Sequence, residues 1–172
     1  MKSYMITSDA LSSEHIKKHM PDYVLYRDKT NQNYADDASK FVDVCRRFKG
    51  VKSFLHQDAD LAKKLGANGV HLTSLQLDKV EYAKSKNLEV IISTHSLEEV
   101  QKAEILGADA VTYSPVFNTP NKGEPKGVDD LKVLVECVDI KVFALGGITS
   151  QKEIDKIKDT GVYGFASIRY FE

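Results

Sequence analysis

The sequence predicts a closed (β/α)8 barrel, and three observations predict it. Short apolar, β-prone runs alternate with segments of helical periodicity along the whole chain, and no hairpin interrupts them. A helix–glycine–strand phrase recurs: residues 62–72 read AKKLGANGVHL, residues 103–113 read AEILGADAVTY, and residues 157–167 form a looser third copy. The alternation yields eight strands, the number that closes a parallel barrel. An open doubly wound sheet is the other architecture that alternation alone permits.

Each element has a local reason. The first strand spans residues 3–7, and Ser12 or Ser13 is positioned to cap a short helix that ends at Met20-Pro21. The second strand, 23–26, runs into the charged cluster Arg27-Asp28-Lys29. Residues 34–48 carry Ala38, Phe41, Val42, Cys45 and Phe48 at helical spacing. The third strand is 53–56, with Asp58 placed to cap a helix over 59–65. After the strand ending in Leu72, residues 75–84 read as helix and 88–93 as strand. Ser96 then caps a helix over 97–106, with Glu99 at capping-box spacing. A strand at 110–113, a helix over 128–136, a strand at 141–145, a helix over 150–158 and a last strand follow. The sequence ends just beyond strand eight at Glu172, so a compact barrel lacking the eighth helix is expected. A partner in a homodimer, or the first helix, would then cover the apolar surface between strands eight and one.

Composition narrows the function. At 172 residues the chain reads as one domain, 1–172, and its 42% apolar and 28% charged residues are those of an ordinary globular protein. A formal net charge of −1 offers no field for nucleic acid. Cys45 and Cys137 are far apart in helical segments, which suggests reduced, partly buried thiols, and no Cys/His cluster suits structural zinc. The N-terminal segment has no signal-peptide core, and no apolar run is long enough to span a membrane. A cytoplasmic protein is expected.

In a barrel the site lies on the loops after the strands, so the strand ends predict the pocket. They supply Arg27 and Lys29, His56, Thr73, Ser93, the loop 113–127 with Thr119, Asn121 and Lys122, the pair Gly146-Gly147, and Arg169. Cations dominate and acids are scarce, which points to an anionic ligand, most simply a phosphate. Gly146-Gly147 before a helix start, on strand seven, is a barrel position that suits phosphate amides. His56 is the best placed of the histidines for proton transfer, whereas mid-strand His71 reads as a core residue and His15 and His19 as surface positions. No paired carboxylates converge on the mouth, which disfavours glycosidase-type chemistry and a two-carboxylate metal site.

Five pieces in order resemble the thiamine phosphate synthase and TenI superfamily. They are Tyr26-Arg27-Asp28-Lys29; Asp60-Leu61-Ala62 with Leu65-Gly66-Ala67 and Gly69-Val70-His71-Leu72; residues 93–99, STHSLEE; residues 114–122, SPVFNTPNK; and Ala144-Leu145-Gly146-Gly147-Ile148. The resemblance implies a small phosphorylated heterocycle as ligand: thiazole phosphate and, in the synthase, pyrimidine methyl diphosphate with Mg²⁺. By the match Arg27, Lys29 and Lys122 hold diphosphate, Thr119 and Asn121 touch the thiazole side, Gly147 with the Ile168–Arg169 backbone holds its phosphate, and Ser93 faces the pyrimidine.

Departures from the family pattern shift the expectation. The two aspartates that bind Mg²⁺ in the family fall at Gln57 and Gln76, so no metal ligand is expected and Mg²⁺ enters only in a synthase. Arg169 replaces a serine at the phosphate seat. The TenI branch instead tautomerises a thiazole carboxylate phosphate with a general base. Its catalytic histidine falls at Pro115, which leaves His56 as the substitute base. A TenI-like tautomerase is therefore the leading expectation, with a thiamine phosphate synthase and a non-catalytic phosphate-ligand-binding protein as alternatives.

Overall fold

Parallel strands covered on both faces have to be apolar almost throughout. The runs identified above satisfy that in the computed structural model, which describes residues 1–172. The strands are β1 (Lys2–Thr7), β2 (Tyr23–Tyr26), β3 (Lys52–His56), β4 (Gly69–Leu72), β5 (Glu89–Thr94), β6 (Ala110–Tyr113), β7 (Lys141–Leu145) and β8 (Gly164–Ser167). All pair in parallel and in chain order. β8 returns to β1 with Ala166 opposite Tyr4, so the sheet closes. The helices are α1 (Ser13–His19), α2 (Tyr34–Cys45), α3 (Ala59–Leu65), α4 (Val80–Ser85), α5 (Leu97–Ile105), α6 (Val128–Glu136) and α7 (Gln151–Ile157). None is long and apolar enough to cross a membrane.

Strand alternation sorts the side chains into two cores. Outward residues such as Val24, Leu55, Val70, Val90, Val111 and Val142 join the helices in one large cluster. Inward residues Tyr4, Tyr23, Phe54, Ile91, Ala110, Phe143 and Ala166 fill the barrel. Tyr4 is the hub of that interior. Its ring meets those of Tyr23 at 5.8 Å, Phe54 at 5.9 Å and Phe143 at 5.3 Å. Below it, Tyr23 and Tyr163 bring their hydroxyls within 3.1 Å, and Lys52 lies over the Tyr23 ring while paired with Glu89. The barrel is thus packed from the strand starts to mid-height and opens at the strand C-termini.

After β8 the chain forms one 3-10 turn, Arg169–Phe171. Phe171 is buried, stacks on Phe165 at 5.9 Å and meets the His19 ring edge-on at 5.4 Å. The end of α1 and this turn therefore pack together on the outer surface near β8. His19 is a packing residue, not the plain surface position that its sequence context suggested.

Several local expectations are corrected. Ser12 precedes α1 but does not cap it: its hydroxyl is buried without a partner. The helical pattern over 34–48 ends at Cys45, with a further turn in which Phe48 N–H reaches the Cys45 carbonyl at 3.0 Å. Residues 75–84 are not one helix. A 3-10 segment, Ser74–Lys79, kinked at Gln76 where φ is −115°, meets α4, and the Gln76 side chain accepts from Thr73 N–H at 3.1 Å. Ser96 caps α5, but the Glu99 carboxylate takes the N–H of His95 at 2.6 Å instead of closing the box on Ser96. Cys45 is buried, and Cys137, expected to be partly buried, is exposed at the end of α6.

Candidate functional site

The mouth has two unlike halves. On the β2–β4 side, Arg27 follows β2 with its N–H on the Thr7 carbonyl at 2.8 Å. Its parity matches Tyr23 and Leu25, so the side chain turns inward. The guanidinium is half-buried, and burial alone accounts for the lowering of its pKa; no carboxylate offsets the charge. A desolvated cation without a partner is costly, and an anionic ligand would relieve it. Lys29 stands exposed on the same rim.

His56 ends β3 with its N–H on the Tyr34 hydroxyl at 3.0 Å. Its ring, directed inward, lies 6.4 Å from that of His71. Burial, and then the charges of Arg27 and Lys29, lower its pKa from 6.5 to about 4, so it is neutral at pH 7. A groove of about 970 Å³ adjoins it, lined by Lys29, Lys79, Tyr34, Gln57 and Gln76 and also by Asp28, Asp58, Asp60 and Asp78, so acids are less scarce on this side than the sequence suggested.

His71 is both a core residue and a neighbour of the site, which the sequence reading had kept apart. It is almost fully buried, with Nδ1 2.9 Å from the Tyr4 hydroxyl and Nε2 2.8 Å from Ser93 Oγ. Burial, with smaller effects of His56 and Arg27, lowers its pKa to about 3. Ser93 is half-buried, and its register partner Thr112 is fully buried with an unpartnered hydroxyl. Period-two parity places His56, His71 and Ser93 on one interior face, and that was the available signal. Tyr4 was missed, although a tyrosine in an apolar strand needs a partner for its hydroxyl.

The β6–β8 side is built from backbone. The loop after β6 is bonded to the end of β7: Val116 N–H reaches the Leu145 carbonyl at 2.9 Å, and Phe117 N–H the Gly146 carbonyl at 3.0 Å. Gly146 and Gly147 have φ of +101° and +71°. A Cβ on Gly146 would lie 2.7 Å from Pro115 Cα, and one on Gly147 2.6 Å from the Asn118 carbonyl oxygen, so only glycine fits. The N–H groups of Gly146, Gly147, Ile148 and Ile168 meet no protein acceptor. Ser167 Oγ donates to the Ile148 carbonyl at 2.6 Å and so ties the two loops together. Free amides at two adjacent strand ends suit an anion.

The start of α7 does not add to them. Ser150 caps Lys152 N–H, and the Glu153 carboxylate accepts from Ser150 N–H at 2.9 Å. Thr119 is half-buried and donates to the Phe117 carbonyl at 2.9 Å. Asn121 (φ +61°), Lys122, Ile168 and Arg169 are exposed on the rim. The structure thus brings Arg27, His56 and Ser93 into the mouth and leaves Lys29, Asn121, Lys122 and Arg169 around it.

Gln57 and Gln76, where the resemblance places the Mg²⁺ ligands, do not fit that ion. Gln76 Oε1 is taken by Thr73 N–H, and its Nε2 donates to the Gln57 carbonyl at 3.3 Å. Both seats offer amides where Mg²⁺ wants carboxylates.

Comparison with known proteins gives a consistent picture. The family model for thiamine monophosphate synthase matches residues 4–171. A relative in Aquifex aeolicus is 39% identical over 120 residues, covering 68% of this chain and 64% of that protein. The thiamine-phosphate synthase of Bacillus velezensis is 31% identical over 136 residues, 76% of this chain and 60% of the other. The chain therefore spans less than two thirds of the length of these relatives. Among solved structures, the thiamine phosphate pyrophosphorylase from Pyrococcus furiosus is similar with a TM-score of 0.81 and 28% identity, over 97% of this chain and 85% of that one.

Proposed function

From the premise that the chain belongs to the thiamine monophosphate synthase family, we propose that it acts in thiamine biosynthesis, binding a phosphorylated thiazole and shifting a proton on it. The observation that carries this reading is the half-buried, unpaired guanidinium of Arg27 beside neutral His56, opposite the free amides of Gly146, Gly147 and Ile168. The amides hold the phosphate end, and Thr119 and Asn121 touch the thiazole side. Arg27, Lys29 and Lys122 hold further negative charge, and Ser93, which faces the pyrimidine in the synthase match, faces the thiazole ring in this reading. His56 takes a proton from a ring carbon, and a proton returns to the conjugated carbon outside the ring, so the product is an isomer with the aromatic ring restored. Neutral imidazole is the form that can accept that proton.

The proton shift is tested by following the conversion of the thiazole carboxylate phosphate by NMR in D2O. Wild-type protein is expected to exchange and isomerise the substrate, and His56→Ala to lose about 100-fold or more of that rate. Undiminished turnover in His56→Ala sinks the assignment. The names of the curated relatives favour a second reading, a thiamine phosphate synthase that joins pyrimidine methyl diphosphate to thiazole phosphate. The amides at Gln57 and Gln76 weigh against it, and Mg²⁺-dependent formation of thiamine phosphate from the two precursors would establish it. Binding by calorimetry without turnover of either substrate would select a non-catalytic ligand-binding role.

A further inference from the structure

The buried chain Tyr4–His71–Ser93 has a direction. Tyr4 is fully buried and its hydroxyl has one partner, His71 Nδ1 at 2.9 Å. If His71 carried its proton on Nδ1, the imidazole would donate to the phenol, and the tyrosine O–H would be stranded in an aromatic interior. A stranded buried donor costs about 1–3 kcal/mol. The opposite tautomer satisfies every group: Tyr4 donates to Nδ1, and Nε2–H donates to Ser93 Oγ at 2.8 Å. Ser93 then has one lone pair occupied and its own O–H unspent, and no protein acceptor lies within hydrogen-bonding distance of it. Ser93 is half-buried at the C-terminal end of β5, where the mouth opens.

We propose that Tyr4 is a positioning residue: it holds His71 as the Nε2–H tautomer and thereby presents the Ser93 hydroxyl to the mouth as a hydrogen-bond donor. The position then selects a ligand atom with a free lone pair, such as an imine-type ring nitrogen or a carboxylate oxygen, and disfavours an N–H at that point. Tyr4 touches no ligand itself, because the His71 ring and the barrel packing lie between. The ligand half of the proposal rests on the thiazole reading above; the tautomer half does not.

The two halves are tested separately. Long-range proton–nitrogen NMR on the ligand-free full chain, with His71 assigned by its absence in His71→Gln, reports the tautomer at pH 7. Wild type is expected to show a protonated Nε2 and a bare Nδ1, and Tyr4→Phe to shift toward Nδ1–H or an average. Ser93→Ala is expected to keep the wild-type pattern, since Tyr4 still donates. That variant keeps the test decisive if Tyr4→Phe folds poorly. An Nδ1–H tautomer in wild type, or a tautomer lost in Ser93→Ala, overturns the proposal.

Calorimetry with thiazole phosphate then tests transmission through Ser93. Tyr4→Phe is expected to weaken binding about 3- to 10-fold in the wild-type background and to have no further effect in Ser93→Ala, the signature of residues acting as one unit. Equal losses in both backgrounds would reduce Tyr4 to a packing residue. Absence of any thiazole phosphate binding would defeat the thiazole reading and leave the tautomer result to decide the Tyr4–His71 link.

Discussion

The two halves of the mouth differ in what they are made of. The β6–β8 half offers backbone N–H groups held by glycines at positive φ and by a loop bonded to β7. The β2–β4 half offers side chains: Arg27, His56, and the amides of Gln57 and Gln76. Backbone donors depend on geometry and survive most substitutions around them. Side-chain chemistry changes with a single codon. Under the proposed reading, the comparison teaches why ligand binding and catalysis could part company in this barrel: the half proposed to grip a phosphate is fixed by the fold, whereas the half proposed to react is not.

The largest effect should come from disturbing the backbone half. Gly147→Ala adds a Cβ 2.6 Å from the Asn118 carbonyl oxygen at a φ of +71°. The left-handed backbone alone costs about 1–2 kcal/mol in a non-glycine residue, and the clash forces the loop away from β7. The variant should lose at least about 100-fold in affinity for thiazole phosphate and melt several degrees lower, measured by calorimetry and thermal denaturation. Unchanged binding would mean that the free amides are not the phosphate seat, and the contrast between the halves would fail.

Arg27→Gln probes the other half, with the opposite relation between binding and stability. The guanidinium is half-buried without a counter-charge, so its removal relieves a desolvation cost in the free protein. Affinity for a phosphorylated ligand should fall about 10- to 100-fold, while the melting temperature stays level or rises. A fall in both would show that Arg27 serves the fold.

The halves also differ in pH response, because the two histidines with depressed pKa values lie on the β2–β4 side. His56 and His71 have folded pKa values of about 4 and about 3, below the ordinary 6.5. Their folded values are depressed, so the unfolded chain binds more protons between pH 6.5 and 4. The stability they contribute is full above pH 6.5 and is lost as the pH falls toward 4. Urea unfolding at several pH values should show this decline, with a slope one proton smaller in His56→Gln. An identical slope in that variant would mean that His56 titrates normally.

How much of this was legible in the sequence follows the same division. Strand runs and the repeated helix–glycine–strand phrase specify the barrel because burial on two faces leaves little freedom in residue type. Gly146 and Gly147 follow a related rule, since positive φ and close backbone approach admit no other residue there. Interior side-chain partners were not legible. Tyr4 and His71 are 67 positions apart, and their contact depends on barrel closure and strand stagger, which local periodicity does not carry. Ser12 and Glu99 show the limit at short range: the residue types suit a cap, but the Ser12 hydroxyl is left without a partner and the Glu99 carboxylate takes the His95 N–H.

Lys122 gives the smallest and sharpest comparison, because it is a side chain mounted on the backbone half. It is exposed, on a loop whose N–H to the Thr119 carbonyl measures 3.3 Å, and it has no ion-pair partner. An exposed cation acts on an anion through solvent and is screened within about 8 Å at physiological salt. Lys122→Ala should therefore weaken thiazole phosphate binding only about 2- to 5-fold at low salt, and the difference should vanish by about 0.5 M salt. The Gly147→Ala loss, which comes from geometry, should persist at the same ionic strength. If the Lys122 effect is large and resists salt, the loop closes over the ligand and buries that lysine. The backbone half would then owe part of its grip to a side chain.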